Sequence, residues 1–115
     1  MTSGHVVTIH PSEEHVEVVV DGVTIAESDG AMRLEETGLP PRYYLPREDV
    51  RMDLLRPTTF RTTCPFKGEA SYWSLDLGGE VLDGIMWSYE APIVGAEAIA
   101  GLVSFYPERV DLRLS

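Results

Sequence analysis

One thiol and one primary amine lie three residues apart in Cys64-Pro65-Phe66-Lys67-Gly68. They are the chain's only cysteine and only lysine; every other fixed cation is an arginine. A free thiol titrates near about 8.5, and a neighbouring ammonium favours the reactive thiolate. A lysine amine can attack a carbonyl, and a carboxylate such as Glu36 can serve as general acid or base. The candidates for chemistry are therefore Lys67, Cys64 and Glu36. Cysteine catalysis usually needs a base beside the thiol. The three histidines, His5, His10 and His15, all fall at the N-terminal end and outside any motif, and His5 and His10 read as part of a mobile tail. The thiol thus reads as a packed loop residue, and Lys67 carries more of the expectation.

Aromatic residues supply a second kind of signal. Tyr72-Trp73 and Phe105-Tyr106 are adjacent pairs, so on a strand each sends one ring to either face. Trp87 and Tyr89 are two apart and share a face, where they could stack on a flat ligand. Tyrosine offers an apolar face and a hydroxyl, which suits a pocket wall. The expected ligand-binding set is Arg33, Tyr44, Lys67, Tyr72, Trp87 and Tyr89, with the cations holding an anionic group.

Charge narrows the partners. The net charge is −10 over 115 residues. That balance opposes duplex DNA and anionic membranes, both of which need a cationic footprint. Yet the stretch from Arg42 to Lys67 is locally +3, against −13 for the remainder. A small cationic centre in an acidic chain suits a small anion better than a long polyanion. One cysteine excludes an internal disulfide and a multi-thiolate zinc site. No histidine pair has ligand spacing and no calcium-loop pattern occurs, so no metal and no cofactor is expected. Lys67-Gly68 lacks the glycine framework and following hydroxyl of a phosphate-binding loop. No apolar run is long enough to cross a bilayer and no secretory leader is visible, so a cytoplasmic location is expected.

The elements that must position these groups read as strands. Residues 15–20 and 23–28 flank Asp21-Gly22, a two-residue hairpin signal. Residues 31–36 alternate, with Met32 and Leu34 on the apolar side and Arg33 and Glu35 opposite. Tandem proline at 40–41 ends that run. Pro46 can open one helical turn, and Ala96–Ala100 another. Strands follow at 70–77 and 81–90 around Gly78-Gly79, and a final pair is expected at 101–106 and 109–114. The pattern predicts an all-β domain of about eight strands in one or two bent antiparallel sheets, with at most short helical turns. Residues 1–14 read as an N-terminal extension and 15–115 as a single domain.

Several motifs then agree in order. They are Tyr43-Tyr44-Leu45-Pro46-Arg47-Glu48-Asp49-Val50, the Cys64–Trp73 run with its Cys-Pro-x-Lys-Gly element, Trp87-Ser88-Tyr89-Glu90-Ala91-Pro92, and Phe105-Tyr106. Together they resemble the bacterial family called domain of unknown function 427, sometimes labelled nucleotidyltransferase-like, over roughly residues 16–106. The resemblance implies a β-tent, or Mss4-like, fold of two antiparallel sheets leaning together. Some β-tent relatives hold zinc through two cysteine pairs, which this chain does not have. Others hold a flat ligand in an aromatic cage, which would draw on Trp87 and Tyr89. No paired carboxylates occur in the glycine–serine context that nucleotidyl transfer needs.

Three functions follow from these residues. The first is a small-molecule binding domain with a pocket between sheets, taking an anionic or aromatic ligand. The second is an enzyme using Lys67, Glu36 or Cys64. The third is a protein-interaction module, including a homodimer that buries Trp87 and Tyr89.

Overall fold

The computed structural model describes residues 5–115. Ten strands and three single-turn 3-10 helices follow one another: β1 (Val7–Pro11), β2 (Val16–Val20), β3 (Val23–Ser28), β4 (Met32–Glu36), β5 (Arg42–Tyr44), η1 (Arg47–Asp49), η2 (Met52–Leu54), β6 (Leu55–Cys64), β7 (Gly68–Asp76), β8 (Val81–Ser88), η3 (Glu97–Ile99), β9 (Val103–Phe105) and β10 (Asp111–Leu114). The all-β expectation, with only short helical turns, holds. Hydrogen bonding sorts the strands into three antiparallel sheets, ordered β1-β4-β5, β10-β2-β3 and β6-β7-β8-β9.

Local chemistry explains the hairpins. Asp21 and Gly22 both take positive φ, 50° and 79°, the geometry of the tight turn that matches strand twist. Pro46 precedes η1 with φ −60°, and η1 ends after one turn. The long β6 is an edge strand, the setting in which a sheet tolerates a proline such as Pro57.

Two of the sheets are joined at one point. Leu45, just past β5, exchanges both backbone hydrogen bonds with Val103 of β9, at 2.7 and 2.9 Å. This bridge brings the outer strand of the first sheet against the outer strand of the third. Two apolar cores result. One gathers Val16, Val18, Ile25, Tyr43, Leu45, Trp73 and Phe105; the other gathers Leu34, Tyr44, Tyr72, Trp87, Tyr89 and Ile99. Strand alternation decides the division. Tyr43 and Tyr44 are neighbours yet enter different cores, as do Tyr72 and Trp73.

Two expectations change. The strands at 103–105 and 111–114 do not pair with each other: β9 pairs with β8, and β10 with β2. The intervening Pro107 region carries the chain from one sheet to another instead of closing a hairpin. Residues 7–11, read from sequence as part of an extension, form β1 and pair residue for residue with β4. Val7 and Ile9 pack against the second core, which gives that strand its apolar footing.

Gly68 fixes the turn that presents Lys67. Its φ is 120°, and an added Cβ would lie 3.3 Å from both the Ile93 nitrogen and the Pro92 Cα. Gly68→Ala is therefore expected to lower stability by at least about 1 kcal/mol, read by urea denaturation. An unchanged midpoint would show that this turn is not constrained.

Candidate functional site

Strand parity assembles the site. On β4, Leu34 and Glu36 face one way, and their cross-strand neighbours on β5 continue that face: Leu34 pairs with Arg42, and Met32 with Tyr44. Across from them, Tyr72 and Trp87 are direct partners on β7 and β8. Tyr89 follows Trp87 on the same face. Lys67 comes in from the β6–β7 turn, and Tyr106 from just past β9. These groups enclose a cavity of about 170 Å³ between the first and third sheets, with Leu39 and Pro40 completing its wall.

A charged pair forms one side. Lys67 Nζ donates to Glu36 Oε1 at 2.5 Å, and His5 Nε2 lies 2.9 Å from Glu36 Oε2. Both side chains of the Lys67–Glu36 pair are nearly sealed from solvent, 11% and 7% exposed. Burial pushes the Glu36 carboxyl upward, but the hydrogen bond and charge of Lys67, with help from His5, outweigh it and hold the group below the usual carboxylate range. His5 stacks on Phe66, ring centroids 3.9 Å apart, so the turn carrying Lys67 is clamped against the segment leading into β1.

The remaining walls hold donors without acceptors. Arg42 lies 5.5 Å from the Trp87 ring centre, in cation–π contact. Among the described residues it is the one arginine that makes neither a side-chain hydrogen bond nor an ion pair. Tyr44 accepts the Trp87 indole N–H at 3.1 Å, and its own proton meets no acceptor among the described residues. Among the same residues the Tyr89 hydroxyl meets no hydrogen-bond partner. Burial drives the titration of both tyrosines far upward, so both hydroxyls keep their protons at neutral pH. With Glu36 matched by Lys67, the formal charge of the cavity wall is one positive, carried by Arg42.

The structure brings Tyr44, Lys67, Tyr72, Trp87, Tyr89 and Glu36 together. It does not bring Arg33 or Cys64. Arg33 is on the opposite face of β4, bonded to the Tyr43 hydroxyl at 2.6 Å and to Glu35 at 3.1 Å. The alternation of residues 31–36 already places Arg33 away from Leu34, so grouping it with Tyr44 conflicts with strand parity. Cys64 ends β6 and accepts the Lys67 backbone N–H at 3.2 Å; its side chain packs against the second core and does not line the cavity. Neither His5 nor His10 is in a detached tail: His5 holds Glu36, and His10 is on β1 opposite Arg33. Two residues escaped the sequence reading. Arg42 was legible, being two positions before Tyr44 on the same strand. Tyr106 was not, because its position depends on the turn after β9.

Removing Lys67 tests the pair. Lys67→Met is expected to cost about 3 kcal/mol near neutral pH, because it leaves the Glu36 carboxylate buried with less compensation. The folded value of Glu36 is below its unfolded value, about 4.3. The stabilisation is therefore complete above the unfolded value and is lost as pH falls through the folded one. Chemical denaturation should show the gap between wild type and Lys67→Met narrowing below about pH 4. A gap that stays constant down to about pH 3 would mean the pair does not contribute as described.

No curated protein matches this chain. The sequence profile of one family matches residues 8–115, which include all ten strands but for the first residue of β1. On that match, and on the motifs that build this cavity, the chain belongs to the family described as a domain of unknown function, DUF427.

Proposed function

We propose that the protein binds a compact organic anion, carrying no more than one aromatic ring, in the cavity between the first and third sheets. The observation that carries this reading is Arg42, whose side chain has no hydrogen bond or ion pair among the described residues, in cation–π contact with Trp87 beside the Tyr44 and Tyr89 hydroxyls, whose protons meet no acceptor there. A planar guanidinium offers two parallel donors that match a carboxylate. The Tyr44 and Tyr89 hydroxyls supply further donors, and the Tyr72, Trp87 and Tyr106 rings supply flat apolar faces.

Size limits the ligand. A dry cavity of about 150 Å³ admits one benzene ring, so about 170 Å³ suits a single ring with a small charged substituent. Whole cofactor sites run to about 300–1,000 Å³, which places a nucleotide beyond this space. Lys67 and Glu36 act in this reading as a matched wall, since each is already engaged by the other.

Benzoate and its neutral isostere benzamide test the idea by calorimetry. Benzoate should bind, benzamide should bind at least about tenfold more weakly, and Arg42→Gln should weaken benzoate by a similar factor. Because the Arg42 side chain makes no hydrogen bond or ion pair among the described residues, that substitution should cost no more than its contact with the Trp87 ring, about 1 kcal/mol. Equal binding of benzoate and benzamide, or undiminished benzoate binding to Arg42→Gln, would overturn the reading.

A further inference from the structure

A larger groove of about 620 Å³ lies on the other side of Tyr72 and Tyr106, and its chemistry is the reverse of the cavity just described. Two bulges flanking β7 create it. On β6, Pro57 pairs with Trp73 and Arg61 with Ser71, so residues 58–60 oppose Tyr72 alone. On β8, Met86 pairs with Trp73 and Leu82 with Leu75, so residues 83–85 oppose Ser74 alone. Tyr72 and Ser74 are two apart on β7 and share the face that forms the groove floor. Both bulges are held by side chains. Thr58 donates to the Tyr72 carbonyl at 3.0 Å and accepts the Phe60 N–H at 3.2 Å, while the Ser74 hydroxyl accepts the Gly84 N–H at 3.2 Å. Bulges that re-aim side chains recur next to functional sites.

The first bulge turns Phe60 back over the sheet. Its ring lies 5.1 Å from Tyr72, although the residue as a whole is 60% exposed. An exposed phenylalanine fixed against a tyrosine at a groove has an apolar face left for something else. Phe60, Tyr72 and Tyr106 then give the groove three aromatic walls. Its rim carries the Asp83 and Glu108 carboxylates. Glu108 has no hydrogen bond or ion pair among the described residues, and the Asp83 carboxylate meets only the Ser74 hydroxyl, at 3.4 Å. Arg109 is the single cation there, and it is anchored on the Asp83 carbonyl at 2.7 Å. The formal charge of the rim is one negative.

We propose that this groove is a second binding site, for a compact organic cation of the alkylammonium class, held against the faces of Phe60, Tyr72 and Tyr106 with Glu108 and Asp83 as counter-charges. Ring faces carry negative quadrupole potential and attract an ammonium group, and an alkylated ammonium sheds water readily enough to use it. An anion would instead meet three ring faces and two carboxylates. The groove also exceeds the first cavity severalfold and falls within the range for organic ligands.

Choline and its uncharged isostere 3,3-dimethylbutan-1-ol separate charge from shape. Isotope-edited NMR titration of the full chain should show choline binding at least about fivefold tighter than the alcohol. Phe60→Ala and Glu108→Gln should each weaken choline, and Arg109→Gln should tighten it by removing the opposing charge. These residues are exposed, so the variants should stay folded, as their spectra will show. Arg42→Gln should leave choline binding unchanged, which keeps this site independent of the anion cavity. Equal binding of the two isosteres, no binding of choline, or a choline affinity unmoved by Phe60→Ala and Glu108→Gln would overturn the proposal.

Discussion

Glu36 and Lys67 come from segments thirty-one residues apart and meet almost out of solvent's reach, on the boundary between two sheets. A carboxylate buried there without its ammonium would be costly, so each group demands the other. Glu36 ends β4, and Lys67 rides the tight turn between β6 and β7. Satisfying the pair therefore ties the first sheet to the third, at the opposite end of the first sheet from the Leu45–Val103 bridge. The aromatic residues between those two ties have little freedom left, and the cavity is the space they cannot fill. A buried ion pair is weak evidence of net stability, since an apolar replacement can do as well. Its use here is registry: it neutralises Glu36 and leaves Arg42 as the cation that faces the cavity alone.

Strand parity accounts for most of what could be read in advance. Alternation at 31–36, the Asp21-Gly22 turn, the adjacent rings at Tyr72-Trp73 and Phe105-Tyr106, and the shared face of Trp87 and Tyr89 all carried over into the structure. The same rule, applied more strictly, excludes Arg33 and includes Arg42, because residues two apart on a strand share a face. What parity does not reveal is which strands meet. β1 could be recognised only by its pairing with β4, and β10 was legible as a strand while its partner, β2, was not. Such long-range pairings depend on the whole topology. The bulges beside β7 were equally hidden, because Thr58-Thr59-Phe60 reads as uninterrupted strand until its partner shows three residues opposing one.

The two hollows share a wall and differ in kind. Tyr72 and Tyr106 line both, yet one hollow is small and formally positive, and the other is roomier and formally negative. A chain with a net charge of −10 can easily furnish an acidic rim; an unpaired arginine inside it is the rarer feature. That contrast places the anion at Arg42 even though the other groove is larger. The single cysteine serves as a packed end to β6, and the lysine three residues on as half of a charge pair.

Trp87 gives the most direct view of the anion cavity. Its indole N–H bonds Tyr44 while its ring carries Arg42, and the only other tryptophan, Trp73, packs in the other core under Arg47. The chain therefore has two indole N–H resonances, one in each environment. On titration with benzoate, the Trp87 resonance should shift in a saturable way while that of Trp73 stays in place. A stationary Trp87 resonance at saturating benzoate, or equal movement of both, would contradict a ligand site between these sheets.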